Sequence, residues 1–84
     1  MSRFWLRRKR LVVACHGDGT PTTFLWHGRV YEVDYIAKQW RIDVDWWRTR
    51  VRRDCYKLST TNGLLVIIYQ DLLDGEWYLQ RVYD

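Results

Sequence analysis

Apolar and polar residues alternate along most of the chain, and this spacing of two is typical of β-strands and not of helices. The stretch at residues 64–70 is an exception, because it is apolar almost throughout and so predicts a strand buried on both faces. Glycine closes the pairs His27-Gly28, Asn62-Gly63 and Asp74-Gly75, where we expect tight turns with a positive φ. The pattern therefore predicts strands at residues 11–15, 22–26, 29–44, 50–59, 64–70 and 76–84.

The third predicted strand is longer than strands usually are, so we expect a bend or bulge near residues 37–39. Its second half has two distinct faces. We assign one face to the core, with Trp40, Ile42, Val44 and Trp46, and the other to solvent, with Arg41, Asp43 and Asp45.

Five or six short antiparallel strands in 84 residues are too few for a two-sheet sandwich. They predict an all-β single domain, built as a strongly bent antiparallel sheet or small barrel of SH3-like or OB-like size. Closure into a barrel would also remove the exposed strand edges through which small β proteins aggregate.

The net charge of +4 is concentrated at the start of the chain. Residues 1–10 carry five basic side chains and no acid, and residues 11–84 carry nine basic and ten acidic ones, a balance of −1. We therefore divide the chain into a flexible basic arm, 1–10, and a β domain, 11–84. Such an arm either contacts nucleic acid or an acidic partner, or serves solubility alone.

The segment at residues 46–53 combines two adjacent tryptophans with four arginines. Nucleic-acid binding uses cations for the phosphates and exposed rings for base stacking. On a strand, Arg48, Arg50 and Arg52 share one face, and one ring of the Trp46-Trp47 pair is exposed. The alternative is that Asp43 and Asp45 lie opposite these arginines and neutralise them in cross-strand ion pairs. The candidate contact residues of the arm and this segment are Arg7, Arg8, Lys9, Arg10, Trp46, Trp47, Arg48, Arg50, Arg52 and Arg53.

Nothing in the sequence has the spacing of a catalytic or metal site. His16 and His27 fall in predicted turns, and no nucleophile or phosphate-loop motif accompanies them. The pair Asp43 and Asp45 has two oxygen ligands for a divalent cation, but the nearby arginines favour a salt-bridged strand edge. We expect no enzyme activity, no cofactor, no bound metal and no small-molecule substrate.

Cys15 and Cys55 lack any C-x-x-C or histidine partner, so we expect two free, buried thiols. The apolar run before Cys15, residues 11–14, is shorter than the ~7–15 residues of a signal peptide, and no run approaches the ~20 residues of a membrane span. We expect a soluble, cytoplasmic protein without a membrane partner.

Several motifs of the second half together resemble a known family. They are W-R-x-D-x-x-W-W at residues 40–47, R-R-D-x-Y at 52–56, Gly63, and Y-x-D-L-x-x-G-x-W-Y-L-Q-x-V-Y-D at 69–84. Over residues 24–84 the chain resembles a small bacterial family of unknown function, whose members are similar to the C-terminal segment of Y-family DNA polymerase homologues in mutasome cassettes. Cys55 and Glu76 depart from that pattern, in which an aromatic residue and an arginine are usual. The resemblance implies a setting in translesion DNA repair and assigns no activity.

Two hypotheses for function follow. The first is a non-catalytic accessory β module of a DNA-repair setting that binds single-stranded DNA weakly through the arm and the arginine and tryptophan face. The alternative is a protein-interaction module that docks on a Y-family polymerase-related protein or other repair subunit, or associates with itself through Trp46 or Trp47.

Overall fold

The computed structural model is an all-β barrel, as the sequence predicts. It describes the backbone of residues 2–46 and 49–83, and the side chains of residues 9–45 and 50–83. Six antiparallel strands close the barrel in chain order. They are β1 (Ser2–Cys15), β2 (Pro21–Trp26), β3 (Arg29–Trp46), β4 (Thr49–Thr60), β5 (Leu65–Asp71) and β6 (Trp77–Tyr83). In this part of the chain, no helix is long and apolar enough to cross a membrane.

The first strand starts much earlier than the sequence pattern indicated. β1 begins at Ser2 and not at residue 11, and it pairs with β6 from Ser2 opposite Tyr83 to Leu11 opposite Trp77. A register shift interrupts this pairing between Phe4 and Lys9. The backbone of the basic segment is therefore extended alongside the barrel, and the division into a flexible arm and a domain stays a prediction.

Side chains from every strand fill the barrel interior. Nine buried residues form the main cluster, with Leu58, Val66 and Ile68 fully inaccessible. β5 lies between β4 and β6, and residues on both of its faces are buried. The prediction that this strand is central is confirmed. Tyr56 and Trp77 add an aromatic contact, with ring centroids 5.5 Å apart.

A second, smaller buried cluster lies outside the barrel wall. It consists of Cys55, Tyr69 and Tyr78, with Trp40 and Ile42 packed against it. On β4, Tyr56 and Leu58 face the barrel interior, so Cys55, which is adjacent to Tyr56, faces outward. The smaller cluster therefore covers the outer side of the sheet. The barrel is thus packed on both surfaces where β3, β4, β5 and β6 run side by side.

The apolar face of the second half of β3 points away from the barrel interior, and its assignment to the core is only partly correct. Trp40 and Ile42 pack against the smaller buried cluster. The prediction that Trp40, Ile42 and Val44 share a face is correct, but Trp40 and Ile42 are half-buried and Val44 is 46% exposed. The side chain of Trp46 lies outside the described residues.

Two bulges in β3 cause this outcome. The pairing with β4 shifts between Val33 and Tyr35 and again between Ile36 and Lys38. Each extra residue moves all later side chains to the other face of the sheet. Only the second bulge was expected from strand length. That bulge alone would turn Trp40 and Ile42 towards the interior, and the first bulge cancels its effect.

The predicted turn at His27-Gly28 is confirmed by its backbone. His27 has a φ of 52° and Gly28 a φ of 72°, which is the combination of two left-handed residues found in a type I′ hairpin. The ring of His27 packs edge-on against Trp26 at a centroid distance of 4.6 Å. A positive φ is uncommon for residues other than glycine, and histidine is among the residue types that adopt it more often than most.

Candidate functional site

The predicted row of arginines is partly neutralised by an aspartate. Asp43 lies 3.8 Å from Arg50 (Oδ1 to Nη2) and 3.6 Å from Arg52 (Oδ2 to Nε). The two arginines share a face, and the distances agree, for Asp43, with the alternative of neutralisation by cross-strand ion pairs. Among the described residues, Asp45 has no ion pair, although it lies opposite Arg50 in the strand register.

A stronger ion pair lies on the same side of the sheet. Arg41 donates two hydrogen bonds to Asp54, at 2.6 Å from Nε and 3.1 Å from Nη2. These bonds, and the negative charge behind them, raise the pKa of Arg41 above its ordinary value. On the side of the β3–β4 hairpin that is in line with the barrel interior, arginine side chains therefore form ion pairs with aspartates.

Arg53 does not belong to this row. It lies between Arg52 and Asp54 on β4 and so points to the opposite side of the sheet. Its guanidinium carbon is 4.5 Å from the centre of the Tyr69 ring, a cation–π contact. Arg53 therefore lies on a different side of the sheet from Arg50 and Arg52, because successive strand residues alternate between faces.

The remaining predicted contact residues divide between described and undescribed positions. Trp47 and Arg48 lie outside the described residues, as do the side chains of Arg7, Arg8 and Trp46. Lys9 and Arg10 are exposed on β1. Arg10 Nε lies 3.8 Å from a carboxylate oxygen of Glu76, and the two side chains stay well exposed.

The outside of β3, β4, β5 and β6 brings together cations that the sequence does not group. We call this surface the outer face. In the strand register, Lys38 lies opposite Lys57, Lys57 opposite Ile67, and Ile67 opposite Arg81. Arg53 lies two rows away, opposite Ile42 and Asp71, and the row that contains Cys55 lies between. Four cations from three strands thus project from one side of the sheet.

Each cation of the outer face lies over an aromatic ring. Lys38 Nζ is 5.5 Å from the Trp40 ring centre, and Lys57 Nζ is 5.1 Å from that of Tyr83. The guanidinium carbon of Arg81 approaches the same Tyr83 ring to 4.6 Å. Such contacts are worth about 0.5–1 kcal/mol each at exposed sites.

The acids of this region do not neutralise the two lysines. Asp71, at the end of β5, is 8% exposed and accepts a hydrogen bond from the backbone N–H of Leu73 at 2.9 Å. Lys38 and Lys57 have no ion pair within the described part of the chain, although they lie directly opposite each other. Like charges in that position destabilise a sheet.

The rings of the outer face differ in accessibility. Tyr69 and Tyr78 are buried, with ring centroids 5.4 Å apart and a tilt of 30° between the rings. The Tyr78 hydroxyl donates a 2.7 Å hydrogen bond to Asp74. Tyr35, opposite Ser59 at the edge of the same surface, is 57% exposed. Trp40 and Tyr83 are half-buried. Tyr35, Trp40 and Tyr83 are therefore the rings with surface left for a ligand.

Lys38, Lys57 and Arg81 are not among the contact residues predicted from the sequence. A local signal was present, because Lys38-x-Trp40 and Arg81-x-Tyr83 each place a cation two residues from a ring. Residues with that spacing share a face of a strand. The proximity of the two pairs depends on strand order, which the spacing does not reveal.

The two cysteines differ in environment. Both are free, as predicted. Cys55 is fully buried, and burial raises its pKa from 9.0 to about 11. Cys15 is exposed, so the prediction that both are buried was wrong for this residue. It lies at the end of β1, where a bulge in the pairing with β2 carries the strand into the loop at residues 16–20.

Both histidines are exposed and lie in the connections between strands. A groove of about 380 Å³ next to His16 is lined in part by Asp34 and Tyr35. Asp18 in the same loop accepts hydrogen bonds from the Thr20 hydroxyl and backbone N–H, at 2.7 and 3.0 Å, which lower the pKa of its carboxyl group. These contacts close the loop on itself.

Comparisons with known proteins give a family and no activity. Searches of curated proteins and of solved structures each found no match. A family model described as a domain of unknown function, DUF6504, matches residues 5–84. Because this match covers nearly the whole chain, the protein belongs to the DUF6504 family.

Proposed function

We propose that this protein is a non-catalytic accessory module that binds single-stranded DNA weakly through its outer face. The translesion-repair setting comes from the polymerase resemblance of its sequence motifs and belongs to the proposal. The binding surface differs from the one that the sequence suggested. It uses Lys38, Arg53, Lys57 and Arg81, and the paired arginines Arg50 and Arg52 lie outside it.

The observation that carries the proposal is the like-charge pair of Lys38 and Lys57. These two residues face each other across β3 and β4 without an intervening acid, at a cost to folding. Departures from local rules of this kind are found at functional sites, where a ligand provides the missing interaction. A phosphate chain would supply the negative charge.

The rings of the outer face favour a single strand over a duplex. Bases that are not paired can stack on exposed aromatic side chains, which contributes about 1–3 kcal/mol per base. Tyr35 and Trp40 offer such surface beside the cations. Arg10, opposite Tyr78 in the register, adds an exposed cation on β1 in the row that contains Tyr69.

Titration of a fluorescently labelled oligothymidylate, followed by anisotropy, tests this proposal. Four phosphate contacts on a single strand predict a log–log salt slope near −2.8, so that raising salt from about 50 to about 200 mM weakens binding roughly 50-fold. A duplex of equal length serves as the comparison and should bind less tightly. Absence of binding at low salt, or affinity independent of salt, contradicts the proposal.

A second candidate function, docking on a Y-family polymerase-related protein, is favoured by a different surface. Val12, Leu25 and Val30 lie in one cross-strand row outside β1, β2 and β3 and are 68%, 39% and 64% exposed. Exposed apolar rows of this kind are found at protein interfaces. Capture of purified polymerase-related protein by the wild type but not by Leu25→Asp, with DNA affinity unchanged, would support docking. Equal capture by both would exclude this row.

A further inference from the structure

One edge of β3 carries no partner strand over most of its length. On one side, β3 pairs with β4 from Val33 to Trp46. On the other side it pairs with β2 only from Arg29 to Glu32. Within the described residues β3 approaches no strand besides these two. The barrel is closed at its base, but the far half of β3 has a free edge.

This free edge is regular and long enough to bind another strand. Beyond the bulge that ends at Lys38, the pairing with β4 continues without a shift to Trp46 opposite Thr49. Nine residues of extended strand span about 30 Å. Bulges are one way in which proteins protect an edge from pairing, and this stretch contains none.

The sequence of the edge is complementary to itself. When two copies pair antiparallel with Ile42 opposite Ile42, Arg41 of each copy lies opposite Asp43 of the other. Trp40 then lies opposite Val44, again twice. Each opposed pair shares a face of the sheet, since all the pairs join odd positions with odd or even with even.

Neighbouring registers are less favourable. A two-fold axis at Arg41 places that cation opposite its own copy, and an axis at Asp43 does the same for the carboxylate. Like charges directly opposite each other destabilise a sheet. The register centred on Ile42 avoids both clashes and also gives Val44, which is 46% exposed in the single chain, a ring to pack against.

We infer that two copies of this chain form a symmetric dimer through the β3 edges at residues 38–46, with Ile42 at the two-fold axis. The two barrels then share one continuous sheet, and their outer faces lie side by side. Such an isologous contact closes on itself and does not propagate into fibres. The dimer requires no nucleic acid, so it stands apart from the proposed function.

The first test is a site-specific disulfide in a Cys15→Ser background. Residues opposite each other at the axis have Cα atoms about 4.5–5.5 Å apart, within disulfide range. Ile42→Cys should therefore give a covalent dimer on oxidation with copper phenanthroline. Val44→Cys is the matched control on the same face, because its two copies would lie about 13 Å apart and should stay uncrosslinked. The buried Cys55 is common to both variants.

The second test uses variants that keep the fold. Light scattering after size exclusion should give twice the 10.4 kDa of one chain at high concentration. Val44→Lys removes two contacts per dimer and should raise the dissociation constant by roughly 2- to 30-fold. Leu73→Lys, at an exposed apolar residue outside β3, should leave the dissociation constant unchanged. A monomer mass at every concentration, or crosslinking of Val44→Cys in place of Ile42→Cys, overturns the inference.

Discussion

Two neighbouring arginines provide the sharpest test of the proposed DNA-binding surface. Arg52 and Arg53 are adjacent in the chain, so Arg52→Gln and Arg53→Gln remove the same charge at nearly the same place. They point to opposite sides of β4. Arg52 Nε lies 3.6 Å from Asp43, whereas Arg53 lies over Tyr69 beside the cations of the outer face. Only Arg53→Gln should weaken DNA binding.

The size of the effect follows from counterion release. Loss of one phosphate contact on a single strand lowers the magnitude of the salt slope by about 0.7. If the contact contributes nothing at 1 M salt, affinity falls about 8-fold at 50 mM salt and about 3-fold at 200 mM. Arg52→Gln should retain the wild-type slope and affinity.

Stability does not explain such a difference. Arg53→Gln gives up a cation–π contact worth about 0.5–1 kcal/mol, and Arg52→Gln gives up a surface ion pair of about 0.2–1 kcal/mol. Anisotropy titrations at four salt concentrations, with urea unfolding of each variant, separate the two effects. Equal losses of affinity in both variants would mean that the binding depends on net charge, and the outer face would lose its special role.

Three further predictions concern the fold. Leu58→Ala, at a fully buried site, should lower the free energy of unfolding by about 2–5 kcal/mol in urea titrations, a large part of the total for this size of domain. Gly28→Ala should lower the free energy of unfolding by about 1–2 kcal/mol because Gly28 has a φ of 72°. Gly17→Ala, with open space around it, should change that free energy by less than about 0.5 kcal/mol. Equal losses in the two variants would refute the strain argument. The thiol of Cys55 has a folded pKa of about 11 against an ordinary 9.0, so the unfolded chain loses this proton first. This group should therefore leave the free energy of unfolding unchanged below pH 9 and lower it between pH 9 and 11. The fall should be less steep in Cys55→Ala. A thiol reagent should modify Cys15 in the folded protein but Cys55 only after unfolding.

The fold was largely predictable because its signals are local. Strand periodicity, the glycine turns and the uniformly apolar β5 each depend on residues close in sequence, and all of them agree with the barrel. The start of β1 at Ser2 was not predictable in this way. A row of basic residues has no apolar alternation, and its extended backbone is held by pairing with β6, which is distant in the chain.

The candidate site was predictable only in part. Alternation alone indicated that Arg50 and Arg52 share a face and that Asp43 lies near them. Alternation also places Arg53 on the opposite side of β4, but it does not indicate that Lys38, Lys57 and Arg81 lie on that side of the sheet. These residues come from three strands and meet only because β3, β4, β5 and β6 are neighbours in the closed barrel.

The sequence alone therefore determined the class of fold, the turns and which residues of each strand share a face. The tertiary structure decided which of those faces points inward. The first bulge in β3 turns Ile36 towards the barrel interior, and the second reverses the direction again, so that Lys38, Trp40 and Ile42 lie on the outside of the wall. Bulges depend on how strands pair and not on the alternation within one strand. The outward packing of Trp40 and Ile42 is consequently a result of how β3 pairs with β4 in the closed barrel.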